Sequence, residues 1–256
     1  MSYAIVQTTL GKPPEDALKR AFSEVPWLTD LDAGIMARDA YGVIVEGLTY
    51  AQAERISAAL DRAGVSQQMV SQQDLPKPGM RRQLRRMECA SEGPVIYDPL
   101  GRPVNGQWSD VKLIAAGLVG MKKMQRIEKQ RVKYRGTGWR GGVVPVVVTD
   151  VSEKQVGVEK LVMEIYLGRE PSRFRIIADE FQYNYLGDRL RPSFPENFAL
   201  LVQDVARYAP HAQFSQGVKS LLDDQVTTYG YPTEHAFTEE ITWLLWMSKR
   251  NAANPA

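Results

Sequence analysis

Leu75-Pro76-Lys77-Pro78-Gly79 divides a chain of 256 residues into two kinds of pattern. Two prolines and a glycine within five positions remove backbone donors and forbid helical continuation, so neither a helix nor a central strand runs through them. Upstream, strands and helices alternate. Tyr3 to Thr8 reads as a strand, and Pro13-Pro14 with Glu15 and Asp16 opens a helix on which Ala17, Leu18, Ala21, Phe22 and Val25 recur at helical spacing. Asp32 to Ala40 offers a second helix, with Ile35, Met36 and Ala40 as its apolar side. Tyr41 to Leu48 is rich in β-branched residues and punctuated by glycines, as a buried strand is. Thr49 then caps a helix from Tyr50 to Ala63, Gly64 stops it, and Val65 to Ser71 gives a third strand. The unit from Tyr41 to Ser71 predicts a right-handed βαβ crossover.

Downstream of the linker at 75–80 the elements are short strands: Arg82 to Cys89, Pro94 to Asp98, Arg102 to Trp108, Val111 to Met121, Val143 to Thr149, Lys160 to Gly168 and Arg173 to Ile177. A helix follows from Pro195 to Tyr208, with Phe198, Leu201, Val202, Val205 and Tyr208 spaced by three and four. In the tail, Gly217 to Leu222 reads as a short helix and Tyr229 to Pro232 as a turn. Thr233 caps a helix reaching Met247. Ile241, Trp243, Leu244, Leu245, Trp246 and Met247 put apolar side chains almost all round that helix, which predicts burial within the chain rather than a dimer interface. Asn251 to Ala256 are expected to be disordered.

Val95-Ile-Tyr-Asp-Pro-Leu-Gly-Arg-Pro-Val104 with Gln107-Trp-Ser-Asp-Val-Lys-Leu-Ile114, and Phe174-Arg-Ile-Ile177 leading to the helix from Pro195, resemble the pleckstrin-homology-like barrel over roughly Arg81 to Pro210. That resemblance implies a bent antiparallel barrel closed at one end by its C-terminal helix. A long insertion between strands and the segment Asp179 to Arg191 depart from the pattern. The element order of residues 1–74 resembles the small ferredoxin-like regulatory modules, a likeness of fold that carries no function. The expected fold is therefore α+β: a small ferredoxin-like α/β module over 1–74, a pleckstrin-homology-like antiparallel barrel over 81–210 and a helical tail over 211–256. An unrelated α+β domain of five to seven strands is the alternative for the second part.

Composition narrows the class further. At 44% hydrophobic and 24% charged residues the chain is an ordinary globular one, which excludes fibrous and wholly disordered classes. Cys89 is the single cysteine, so no internal disulfide and no cysteine-based zinc site can form. The start Met-Ser-Tyr-Ala-Ile-Val lacks a basic leader and no apolar run approaches the ~18 residues of a membrane span, so a cytoplasmic location without a transmembrane segment is expected. The net charge of +2 conceals a division. Lys77 to Arg140 holds 15 Lys and Arg against 5 Asp and Glu, and the rest of the chain is acidic. One burst is Lys77, Arg81, Arg82, Arg85 and Arg86; the other is Lys122, Lys123, Arg126, Lys129, Arg131, Lys133, Arg135 and Arg140. Such a segregated positive surface attracts anions or pairs with the acidic flanks.

The second burst, within an expected long basic loop at 122–142, interleaves Tyr134 and Trp139 with its cations. Aromatic rings that stack and cations that meet phosphates make Lys122, Lys123, Arg126, Lys129, Arg131, Lys133, Tyr134, Arg135, Trp139 and Arg140 the candidate binding residues. As a helix the run would put Lys122, Arg126 and Lys129 on one face; as a strand it would put Arg131, Lys133 and Arg135 together. Nucleic acid, anionic lipid and an acidic protein are the candidate partners, against a merely solvated loop.

Catalytic patterns are lacking. Gly136-Thr-Gly-Trp-Arg-Gly141 matches the spacing of a dinucleotide loop but follows a basic run and precedes Val143 to Val148 instead of opening a helix. No kinase lysine, His-Arg-Asp or Asp-Phe-Gly accompanies it, and no Walker sequence occurs. His235 and Glu239, four apart on a helix, would need further ligands to bind a metal. Cys89 lies near Arg85 and Arg86, which could lower its pKa, but reads as a small buried hydrophobe. No cofactor and no catalytic residue is indicated, and the reading leans away from an enzyme. The expectation is a scaffold or adaptor whose basic loop recruits an anionic partner. The alternatives are an enzyme with dispersed Asp, Glu, Arg and Tyr residues in a cleft, and an oligomerising protein driven by the Trp243 to Met247 stripe.

Overall fold

The computed structural model describes residues 1–137, 142–168, 172–223 and 229–253, following 123–137, 142–156 and 252–253 as backbone alone. The chain is mixed α+β with several sheets. It forms two compact units, Met1–Val119 with Lys160–Ala256, and Gly120–Glu159.

The first unit begins with β1 (Tyr3–Gln7), α1 (Glu15–Ser23), α2 (Asp30–Asp39), β2 (Val43–Leu48), α3 (Tyr50–Arg62) and β3 (Gln67–Ser71). Local chemistry sets these boundaries. Thr49 Oγ1 accepts from the Gln52 amide while Gln52 Oε1 accepts from the Thr49 amide, a reciprocal cap that fixes the start of α3. Gly64, at φ +75°, supplies the left-handed step that ends it. Strand β1 lies between β2 and β3 and is antiparallel to both. The expected βαβ crossover is thus present in split form, with β1 inserted between its two parallel strands. Leu18 and Phe22 of α1, Ala33 and Ala37 of α2, and Ile56 and Leu60 of α3 join Ile5 of β1 in one apolar core.

After the irregular stretch 75–80 come β4 (Arg81–Gln83), β5 (Met87–Ala90), β6 (Gly93–Tyr97), β7 (Pro103–Asn105), β8 (Val111–Thr137), β9 (Gly142–Leu167) and β10 (Ser172–Ile177). They are followed by α4 (Phe194–Tyr208), β11 (Gln213–Phe214), α5 (Gln216–Leu222), β12 (Gly230–Tyr231) and α6 (Glu234–Ala253). Among the described residues these strands close no barrel, which corrects the expectation of a pleckstrin-homology-like one. The principal sheet runs β11-β8-β9-β10-β4, with β12 also on β8, and β5-β6-β7 form a separate antiparallel sheet. Three added strands, β4 on β10 and β11 and β12 on β8, are parallel to their neighbours, so the sheet is not wholly antiparallel. The single strand expected from Arg82 to Cys89 is broken, its first part joining β10 and its second β6. Helix α4 lays Phe198, Leu201, Val202 and Val205 into the core formed by Met163, Ile165 and Ile176 of the sheet, covering a face instead of plugging a barrel end.

Strands β8 and β9 are sheet neighbours separated by four residues, a spacing that only a hairpin connection satisfies. The long basic loop expected at 122–142 is therefore mostly strand, and the expected strand Val143 to Thr149 is part of β9, which runs on to Leu167. A β-strand backbone over 120–137 spans roughly 60 Å. Within Gly120–Glu159 no third strand pairs with either partner among the described residues, so each strand has one unpaired edge, the kind of strand in which a proline such as Pro145 is tolerated.

Helix α6 ties the ends of the first unit together, burying Trp243, Leu244 and Trp246 within the chain. The indole Nε1–H of Trp243 donates to the Gln7 carbonyl over 2.6 Å, and the Tyr41 hydroxyl donates to the Gly230 carbonyl over 3.2 Å. Gly42 permits this approach: at φ +72°, a methyl group there would come within 2.5 Å of Trp243 Cβ and 3.0 Å of the Glu240 backbone. Gly42→Ala is expected to cost about 2–4 kcal/mol, combining left-handed strain with overpacking. Gly47→Ala, at φ +76° but facing open space, should cost only about 1 kcal/mol. Urea midpoints of the two variants check the difference; equal losses would mean that α6 does not seat this closely.

Candidate functional site

The basic segment proposed as the site divides under the structure. Lys122 is exposed on β8. Lys123, Arg126, Lys129, Arg131, Lys133, Tyr134 and Arg135 follow on the same strand, whereas Trp139 and Arg140 lie outside the described residues. Of the two spacings that the sequence left open, the backbone takes the strand one, with positions 129, 131, 133 and 135 on one side of the ribbon. The glycine-rich string belongs to β8 at Gly136 and Thr137, and its remaining residues, 138–141, lie outside the described residues.

Part of the first basic burst is engaged internally. Arg86 Nη2 donates to Glu88 over 2.8 Å and its guanidinium lies 3.9 Å from the Tyr97 ring centroid. Arg81 pairs with Glu234 at the start of α6. Burial, and then the charge of Asp204, push the Cys89 thiol up to about 12, which disfavours the thiolate a nucleophile needs.

Sequence periodicity missed a buried ionic layer. On β9 and β10, Glu164 is paired in register with Arg175, and Tyr166 with Arg173, so all four share a sheet face. That face is covered: Glu164, Arg173 and Arg175 are almost wholly buried. Arg173 Nε donates to Glu164 Oε2 over 2.5 Å, and Arg175 Nε donates to Glu164 Oε1 over 2.7 Å. Arg175 Nη1 reaches Glu234 at 2.5 Å; its Nη2 lies 2.6 Å from Glu164 Oε1 without hydrogen-bond alignment. Burial pulls the Arg175 pKa below the usual arginine range, against the attraction of Glu164. Alternation of charged and apolar residues signals an amphipathic strand, but it does not distinguish a polar face met by water from one met by counter-charges.

A second missed feature lies where α6 passes α2 and β2. Ile35, Met36 and Asp39 of α2, Val43 to Glu46 of β2, and His235 and Glu239 of α6 line a hollow of about 300 Å³. Glu239 Oε1 stands 3.5 Å from His235 Nδ1, while its Oε2 is buried and has no hydrogen-bond partner. Burial, reinforced by the charge of Glu46, pushes the Glu239 carboxyl up to about 8. The next residue, Glu240, faces the other way: its Oε1 accepts from the Gln216 amide over 2.7 Å, and burial raises its pKa as well. His235 and Glu239 were legible as an i, i+4 pair, but the hollow was not, because its other walls lie about 190 positions away. Among the described residues no three His, Cys, Asp or Glu side chains, those of the hollow included, converge so as to hold a metal ion, and no helix is long and apolar enough to cross a membrane.

Compared with family models, curated proteins and solved structures, the chain matches none.

Proposed function

We propose that the chain is a binding protein whose ribbon, Gly120–Glu159, engages double-stranded nucleic acid through β8. The observation that carries the reading is that the basic run is continuous strand: Lys129, Arg131, Lys133 and Arg135 recur every second position. A two-stranded β-ribbon fits the major groove of B-form DNA, and cations repeated along it neutralise phosphates on its walls. A membrane surface is served less well, since the amphipathic helix that lies in a lipid interface needs helical spacing, which this segment does not adopt. Binding of this kind is dominated by counterion release and is independent of sequence.

A salt titration of a mixed-sequence duplex oligonucleotide, read by fluorescence anisotropy, tests the reading. Affinity should fall linearly with log salt, with a slope of about −0.9 for each phosphate met. The joint substitution of Lys129→Gln, Arg131→Gln, Lys133→Gln and Arg135→Gln should weaken binding about a hundredfold at low salt and flatten the slope by about three to four. Unchanged binding in that variant, or none by the native chain, would sink the proposal. The cations would then serve the other use of Lys and Arg on exposed edges, preventing edge-to-edge pairing of chains.

A further inference from the structure

We propose that the hollow between α2, β2 and α6 binds a small organic cation with an apolar body, seating its ammonium group on Glu239. This inference does not rest on the ribbon. Its walls are of two kinds: Ile35, Met36, Val43 and Val45 offer aliphatic surface, while Asp39, Glu46 and Glu239 offer carboxylates, and no Lys or Arg among the described residues lines it. A volume of about 300 Å³ is at the lower end for ligand pockets, the size for a compact amine.

The second observation is the state of Glu239 itself. Its side chain is nine-tenths buried and its Oε2 has no donor among the described residues, an arrangement that is costly unless a ligand supplies one. The charged groups around it are accounted for on each wall. On α6, His235 faces Oε1. On β2, Glu46 accepts from Gln72 Nε2 over 3.1 Å and acts on Glu239 as a like charge. On α2, Asp39 is held by Arg38 at 2.8 and 3.0 Å. The side chain best placed to receive a cation is therefore Glu239, through the oxygen that His235 does not face. An alkylammonium would donate to Oε2, restore the missing counter-charge and lay its chain on the aliphatic wall.

A proton must leave for the ion pair to form. Near neutral pH the Glu239 carboxyl is held protonated by its burial and by Glu46, so binding of the ammonium displaces that proton to solvent. Affinity should then rise by up to about tenfold per pH unit until about pH 8, and level off until the amine loses its own proton near pH 10.

The test is a calorimetric titration of the full chain with n-hexylammonium chloride, and with 1-hexanol as the neutral match, at about pH 6 and about pH 9. The expected result is saturable hexylammonium binding that is at least about tenfold tighter at the higher pH, and weaker hexanol binding indifferent to pH. Glu239→Gln, which keeps the shape, should abolish both the pH dependence and the preference for the cation. Absence of hexylammonium binding at both pH values would overturn the proposal. So would equal binding of the alcohol, or an unaltered preference in the Glu239→Gln variant, whose native fold is checked by its circular dichroism spectrum.

Discussion

Glu164→Gln is expected to destabilise the first unit by about 3–5 kcal/mol, the range found when one member of a buried ion pair is removed. Glu164 is the shared counter-charge of Arg173 and Arg175, and it donates nothing: its two oxygens accept from both guanidinium groups. Glutamine keeps the volume but leaves one fewer charged acceptor and brings two donors toward groups that are donors already. Glu234 remains on Arg175, but Arg81 also draws on it, so three arginines would face one carboxylate. The loss should be read as a lower urea midpoint at unchanged slope. A loss under about 1 kcal/mol would show that water reaches the layer. Replacing the trio together, Glu164→Leu with Arg173→Leu and Arg175→Leu, should recover much of the loss, because apolar packing removes the desolvation cost along with the pair.

Raising the pH from about 5 to about 9 should weaken the native chain relative to Glu239→Gln by about 3–5 kcal/mol, the linkage value of a carboxyl whose pKa moves from 4.5 to about 8 on folding. The sign follows from proton counts. Above pH 4.5 the unfolded chain gives up this proton while the folded one retains it, so folding takes up a proton and stability declines with rising pH until about 8. Below 4.5 both states hold the proton and this contribution is whole. Glu240, also raised by burial, acts in the same direction and persists in the variant, which is why the comparison is made between two proteins rather than two pH values. Asp32, Glu88 and Asp98 have lowered pKa values and contribute the opposite slope, but only in acid. Parallel stability curves for the two proteins would show that Glu239 ionises as an exposed carboxylate does.

Where structure is set by neighbouring residues, the sequence was readable. Thr49, Gln52 and Gly64 delimit α3 by contacts within four positions, and Phe198, Leu201 and Val205 face α4 into the core as their spacing requires. Strand partners were not readable, because β4, β11 and β12 join their sheet from distant parts of the chain and closure depends on all of them. The basic run fits both helical and strand spacing, so its own residues do not decide between them; the pairing of β8 with β9 does. For the same reason the pair His235 and Glu239 was visible while the walls opposite it were not.

Gln7 and Trp243 stand 236 positions apart in the chain. At roughly 5–20 residues per second of synthesis, the first strand waits about ten to fifty seconds on the ribosome before the indole that caps its last carbonyl has been made. Until then Gly42 and the outer strand β2 lack α6, although α2 and α3 already pack on β2, so a segment that emerges early is among the last to be finished. Birth order and completion order run in opposite directions here, and any transcript cut short before α6 leaves the sheet of β1, β2 and β3 open on that side.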